Sequence, residues 1–157
     1  MKANIGISEK HLLKSTGLLS EILADEMILY VKTRKFHWNV SGESFLELHK
    51  LYESQYKQME NSIDLVAERM GKLGPKTPGT MEEFLQNGRL KESPGKYPTS
   101  KEMLKELLDD HESLVMFLRK SIAQIAGKIN DAGTADFLTG LMEEHESIAW
   151  VLRRYQE

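Results

Sequence analysis

No cysteine occurs in the 157 residues, so neither a disulfide framework nor a thiolate metal site can be built. Long apolar runs are missing too. No window approaches the roughly 18 apolar residues of a membrane span, and the N-terminal M-K-A-N-I-G-I-S-E-K lacks the core of a signal peptide. The expected compartment is therefore the cytoplasm, with no membrane partner. Charge of one sign is not in excess either: the formal net charge is -3 and the pI near 6.0, which leaves no global basic footprint for nucleic acid. Proline is scarce, and all four residues fall in one connection, at Pro75, Pro78, Pro94 and Pro98. Outside it, helices can run uninterrupted.

What is present is helical periodicity. From Ser8 to about Trp38, Leu12, Leu18, Leu19, Ile22, Leu23, Met27, Ile28 and Val31 recur at helix spacing. Asn39 to Gly42 supplies a turn, and Ser44-Phe-Leu-Glu47 has the form of a capping box opening a second helix that reaches Met70, with Gly71 as its stop. Thr80-Met-Glu-Glu83 opens a short helix ending by Gly88. Thr99-Ser-Lys-Glu102 opens a long one, with Leu104, Leu107, Leu108, Leu114, Val115, Leu118 and Ile122, to about Ile129. After a break at 130–133, Phe137, Leu138, Leu141, Ile148, Val151 and Leu152 line a last helix. No segment reads as a strand. The expected architecture is one all-α domain over residues 1–157: a four-helix bundle with a short extra helix in a long crossover between the second and third long helices.

The second helix carries the chemistry. Taking His49 as zero and about 100° per residue, Glu53 falls near 40°, Glu60 near 20°, Asp64 near 60° and Glu68 near 100°, all on one face. His49 and Glu68 are nevertheless separated by roughly 28 Å along the axis, so one copy of the helix cannot bring both to one metal. Two antiparallel copies can. His49 with Glu68, and Glu53 with Asp64, share one midpoint between Gln58 and Met59, so a two-fold axis there sets each end of the stripe against the other end in a partner. Folding the first helix back along the second brings His37 to the height of His49 as a fifth donor. A line of carboxylates on a helix is usually a solvated face, although like charges at successive i, i+4 steps repel and a bound cation would reverse that sign. His111 and His145 lie among leucines and read as hydrogen-bonded core residues. A Glu-x-x-His motif is absent, which disfavours a metal centre inside a single bundle.

The stretch K-T-R-K-F-H-W-N-V-S-G-E-S-F-L-E-L-H-K-L-Y-E, followed by D-L-V-A-E-R-M, T-A-D-F-L-T and H-E-x-x-A-W, resembles the signature of the Dps family. These are the DNA-binding proteins from starved cells, or mini-ferritins. The resemblance spans nearly the whole chain. It implies a ferritin-like bundle assembled as a hollow homododecamer with ferroxidase sites between subunits. His37, His49 and Glu53 would come from one subunit, Asp64 and Glu68 from its mate. It further implies Fe(II) and hydrogen peroxide as substrates, ferric mineral stored in the cavity, protection against oxidative damage, and Trp38 as a trap for oxidising equivalents. Asp131 and Asp136 resemble pore carboxylates. Fe(II) and Fe(III) suit imidazole and carboxylate donors, and Zn(II) or Mn(II) could occupy the same ligands. The chain departs from strong DNA binders of the family: only Lys2 and Lys10 precede or open the first helix, and the C-terminus ends V-L-R-R-Y-Q-E, so strong direct DNA binding is not expected. The alternative is a nucleoid-binding structural protein whose metal site stabilises the assembly, and a third reading is a redox-inactive helical module. Peroxide-dependent Fe(II) oxidation separates the first reading from the other two.

Overall fold

The computed structural model describes residues 3–156. Its elements are α1 (Glu9–Asn39), α2 (Phe45–Leu73), the short α3 (Met81–Asn87), α4 (Ser100–Gln124) and α5 (Ala132–Arg154), with a π turn at Ile125–Ile129 continuing α4. Cross-helix contacts give the directions. Tyr30 meets Tyr56 and His37 meets His49, so α2 runs antiparallel to α1. Ser15 bonds Asp131 and Glu26 bonds His145, so α5 runs parallel to α1. Arg119 pairs with Glu146 and Glu112 with Arg153, so α4 is antiparallel to α5. The order is up, down, down, up, which forces the α2–α4 connection to travel the length of the bundle. Among the described residues, no helix is long and apolar enough to cross a membrane.

The boundaries follow local chemistry, with two departures from expectation. Thr80 with Glu83 and Thr99 with Glu102 form complete capping boxes. Ser44 makes no side-chain cap bond, and Glu47 instead accepts a hydrogen bond from the Tyr155 hydroxyl at the end of α5. That bond, with burial second, pushes the Tyr155 pKa up to about 12. The second departure is at the far end of α2, which passes Gly71 and ends at Leu73. Leu73 is 1% exposed, and burying it outweighs the roughly 1 kcal/mol a helical glycine costs. Gly74, at φ 113°, then supplies the left-handed residue that stops the helix.

The crossover is fastened to α1 through a buried charge. Asp25, fully buried, accepts hydrogen bonds from the backbone N–H of Arg89 (2.6 Å) and Leu90 (3.0 Å) and from Arg89 Nε (2.8 Å). The same guanidinium stacks on Phe117 at 3.7 Å, joining α1, the crossover and α4. Gly88 lets the chain approach this closely: a Cβ there would lie 2.3 Å from Ile28 Cδ1 and 3.0 Å from the Phe84 carbonyl. Its φ of -74° suits any residue, so space alone selects glycine. Gly88→Ala is therefore expected to destabilise the fold by about 1–3 kcal/mol through overpacking, measurable as a lower urea midpoint at unchanged slope.

Candidate metal centre

His37 lies in the last turn of α1 and His49 in the second turn of α2, and each is held by the other's backbone. His37 Nδ1 is 2.8 Å from the His49 carbonyl oxygen, and His49 Nδ1 is 2.9 Å from the His37 carbonyl oxygen. A carbonyl only accepts, so both Nδ1 atoms carry the proton. In the neutral form of each ring the bare lone pair is then on Nε2. The His37 carbonyl is one of the orphan acceptors at a helix C-terminus, which explains why it is free to receive this bond. The rings stack with centroids 3.8 Å apart. Tyr56 stands edge-on to His37 and Phe45 tilts against His49, each at 5.2 Å, closing the apolar side.

Glu53 follows one turn after His49, half-buried. Lys57 binds it at 2.5 Å and holds its carboxyl below the usual range, by the hydrogen bond first and by its charge second. Asp64 and Glu68 continue the stripe on the exposed face of α2; Glu68 pairs with Lys72 at 3.1 Å. Within the single chain the two histidines come together, Glu53 is engaged by Lys57 one turn on, and Asp64 and Glu68 lie further down the helix. Among the described residues, no three or more His, Asp or Glu side chains converge on one point. Trp38 is 65% exposed, and Arg34 spans the rings of Tyr56 (4.6 Å), Tyr30 (5.4 Å) and Trp38 (5.5 Å).

The remaining candidates sit elsewhere. Asp131 is 2% exposed and caps α5: its carboxylate accepts from the Thr134 N–H (3.0 Å) and hydroxyl (2.6 Å), from Ser15 (3.1 Å) and from Arg69 (3.2 Å). Its role as a helix cap is thus plain, and both oxygens are committed. Asp136, one turn on, is exposed. His111 and His145 are hydrogen-bonded core residues, with their Nδ1 atoms 2.8 Å apart and His145 Nε2 2.6 Å from Glu26 Oε1. Glu26, a carboxylate inside the apolar stripe of α1, carries no local sequence signature that marks it. Tyr56 and Arg34 also went unread, because an aromatic or a cation on a helix signals a site only once its neighbour is known.

Residues 16–157 match the Ferritin-like domain family, so the fold and the helix-borne donors define a ferritin-like protein. The chain is 45% identical over 156 residues, 99% of its length and 87% of the other's, to an uncharacterized low temperature-induced protein of Nostoc sp. (strain PCC 7120). It is 33% identical to DNA protection during starvation protein 2 of Bacillus anthracis, over 88% of this chain and 93% of that one. Among solved structures, DpsC from Streptomyces coelicolor superposes with a TM-score of 0.96 at 26% identity, covering 100% of this chain and 91% of that one. The Vibrio cholerae DPS protein, described as one of the ferritin-like diiron-carboxylate proteins, gives 0.92 at 26% identity, covering 100% and 98%. The chain belongs to the Dps family of the ferritin-like superfamily.

Proposed function

We propose that this chain is the subunit of an iron-storing ferroxidase whose sites form between two-fold-related copies of α2. The observation that carries the reading is the reciprocal histidine pair: two Nε2 lone pairs fixed without metal, beside Glu53, at one end of an exposed carboxylate stripe. Membership of a diiron-carboxylate superfamily supports iron chemistry in general. His37, His49 and Glu53 form one half-site, and Asp64 and Glu68 of the partner subunit complete it. Nitrogen donors hold Fe(II), and the carboxylates favour the harder Fe(III) product. Zn(II) or Mn(II) would compete for the same donors.

Peroxide is the preferred oxidant in this reading: two Fe(II) and one H2O2 with two protons give two Fe(III) and two waters. Both electrons pass to one peroxide, so no hydroxyl radical is released. Trp38, exposed beside His37, takes up stray oxidising equivalents. The assembly is a cytoplasmic homododecamer that stores ferric mineral against oxidative stress. Asp136, rather than the committed Asp131, is the carboxylate available to line a pore. Strong direct DNA binding is not part of the proposal.

The test is an anaerobic Fe(II) titration followed by peroxide, with native mass recorded on the same sample. Saturable Fe(II) binding, rapid oxidation at about one peroxide per two iron and a twelve-subunit mass are expected. A monomer that neither binds nor oxidises iron would overturn the reading.

A further inference from the structure

The carboxylate stripe contains a cation in its middle. Lys57 falls at about 80° on the α2 wheel, between the lines of Glu53 and Glu60 on one side and Glu68 on the other. Its ammonium lies 2.5 Å from Glu53 Oε1 while the side chain stays 62% exposed. The Lys57 pKa is raised, first by the hydrogen bond to Glu53 and to a smaller extent by the charge of Glu60. Lys57 thus occupies the carboxylate that a metal would need. Among the described residues, the Asp64 carboxylate has no hydrogen-bond or ion-pair partner, so the two carboxylates facing each other in the proposed dimer, Glu53 and the partner's Asp64, differ in having a counter-ion.

The midpoint that relates His49 to Glu68 and Glu53 to Asp64 also relates Lys57 to Glu60. On the reading of α2 as a two-fold interface, on which this step rests, Lys57 therefore faces Glu60 of the partner subunit across the axis. We propose that Lys57 is the exchangeable counter-ion of the metal centre: it holds Glu53 while the site is empty and transfers to the partner subunit's Glu60 when a divalent cation arrives. Metal entry then replaces one cation at Glu53 by another. The empty site keeps its carboxylates from repelling one another, and the loaded site keeps Lys57 away from the metal. Lys57 acts through Glu53 and touches no reacting atom, so its role is positioning. An exposed i, i+4 pair of purely structural use would affect helix stability only slightly and leave metal affinity alone.

The experiment is anaerobic calorimetric titration of the assembled protein with Co(II), which binds without turnover. Removing the competing charge with Lys57→Met should tighten Co(II) binding about tenfold, whereas Lys57→Arg should stay within about twofold of wild type. Glu60→Gln deprives Lys57 of its second partner and should weaken binding about fivefold, but by no more than about twofold in the Lys57→Met background. If wild type binds Co(II), His49→Ala abolishes that binding and Lys57→Met lies within twofold of wild type, the counter-ion role is overturned while the metal centre stands. If wild type does not bind Co(II), or binds equally well with His49→Ala, the metal centre falls and this inference with it.

Discussion

Replacing His49 with alanine should lower the rate of peroxide-dependent Fe(II) oxidation by about 100-fold while leaving the far-ultraviolet circular dichroism unchanged. Two losses coincide in this variant. One Nε2 donor disappears, and so does the Nδ1–H bond to the His37 carbonyl that ties the end of α1 to α2. His49 is only half-buried, so the bundle survives the truncation. Asp64→Ala should be as damaging although it lies roughly 22 Å away along the same helix, because it serves the other site. The decisive measurement mixes the two variants. A heterodimer has one site built from both defective halves and one built from both intact halves, whereas either homodimer has none intact. Equal random mixing should restore roughly a quarter of the wild-type sites. Absence of recovery in samples whose native mass confirms heterodimers would exclude a site shared between subunits.

The second large effect concerns the middle of the bundle. Glu26, His145 and His111 come from α1, α5 and α4, and none is more than 1% exposed. They form a chain in which Glu26 Oε2 and His111 Nε2 have no partner among the described residues. Glu26→Leu strands His145 in an apolar core, and a cost of about 3–5 kcal/mol is expected; changing His145 to methionine as well should return most of it. Denaturant midpoints for the single and double variants measure both values.

Acid should act on the same chain. Burial first, and the neighbouring His145 second, push His111 well below its ordinary value of 6.5. The unfolded chain therefore binds the His111 proton at a higher pH than the folded one does. Stability from this group is intact above about pH 6.5 and falls as pH drops, by at most about 1.4 kcal/mol per unit, until the folded-state value is reached. His111→Leu should flatten that slope, and the difference between the two pH profiles cancels the other titrating groups. Identical slopes would remove His111 as the cause.

The helices were legible because Leu12, Leu19, Leu23 and the leucines of α4 and α5 recur with one period and the prolines cluster in one connection. Thr80 and Thr99 announced their caps because each cap closes within four residues. Ser44 misled for the converse reason: Glu47 is claimed by Tyr155, more than a hundred residues away. The ligand stripe was readable since one helix fixes the relative angles of His49, Glu53, Asp64 and Glu68. The lock on the histidine tautomers was not, because it uses backbone carbonyls, which carry no sequence signature. Glu26 escaped for a related reason, as its partner His145 lies on another helix more than a hundred residues away.

The π turn at Ile125–Ile129 bears on how the length of this chain can vary. Its bonding, in which the Asn130 N–H reaches the Ile125 carbonyl, takes up one residue more than an α-helical turn would. Asn130, at φ 61°, and the Asp131 cap then start α5 afresh. Gly127 is exposed within the turn, and a side chain there would meet nothing within 4 Å. Deleting it should return the segment to α-helix and leave α5 where it is, still bonded to Arg69 through Thr134. Single-residue gaps between this chain and its relatives are accordingly expected at this turn, whereas a gap of one residue inside α2 would rotate half of the ligand stripe by about 100°.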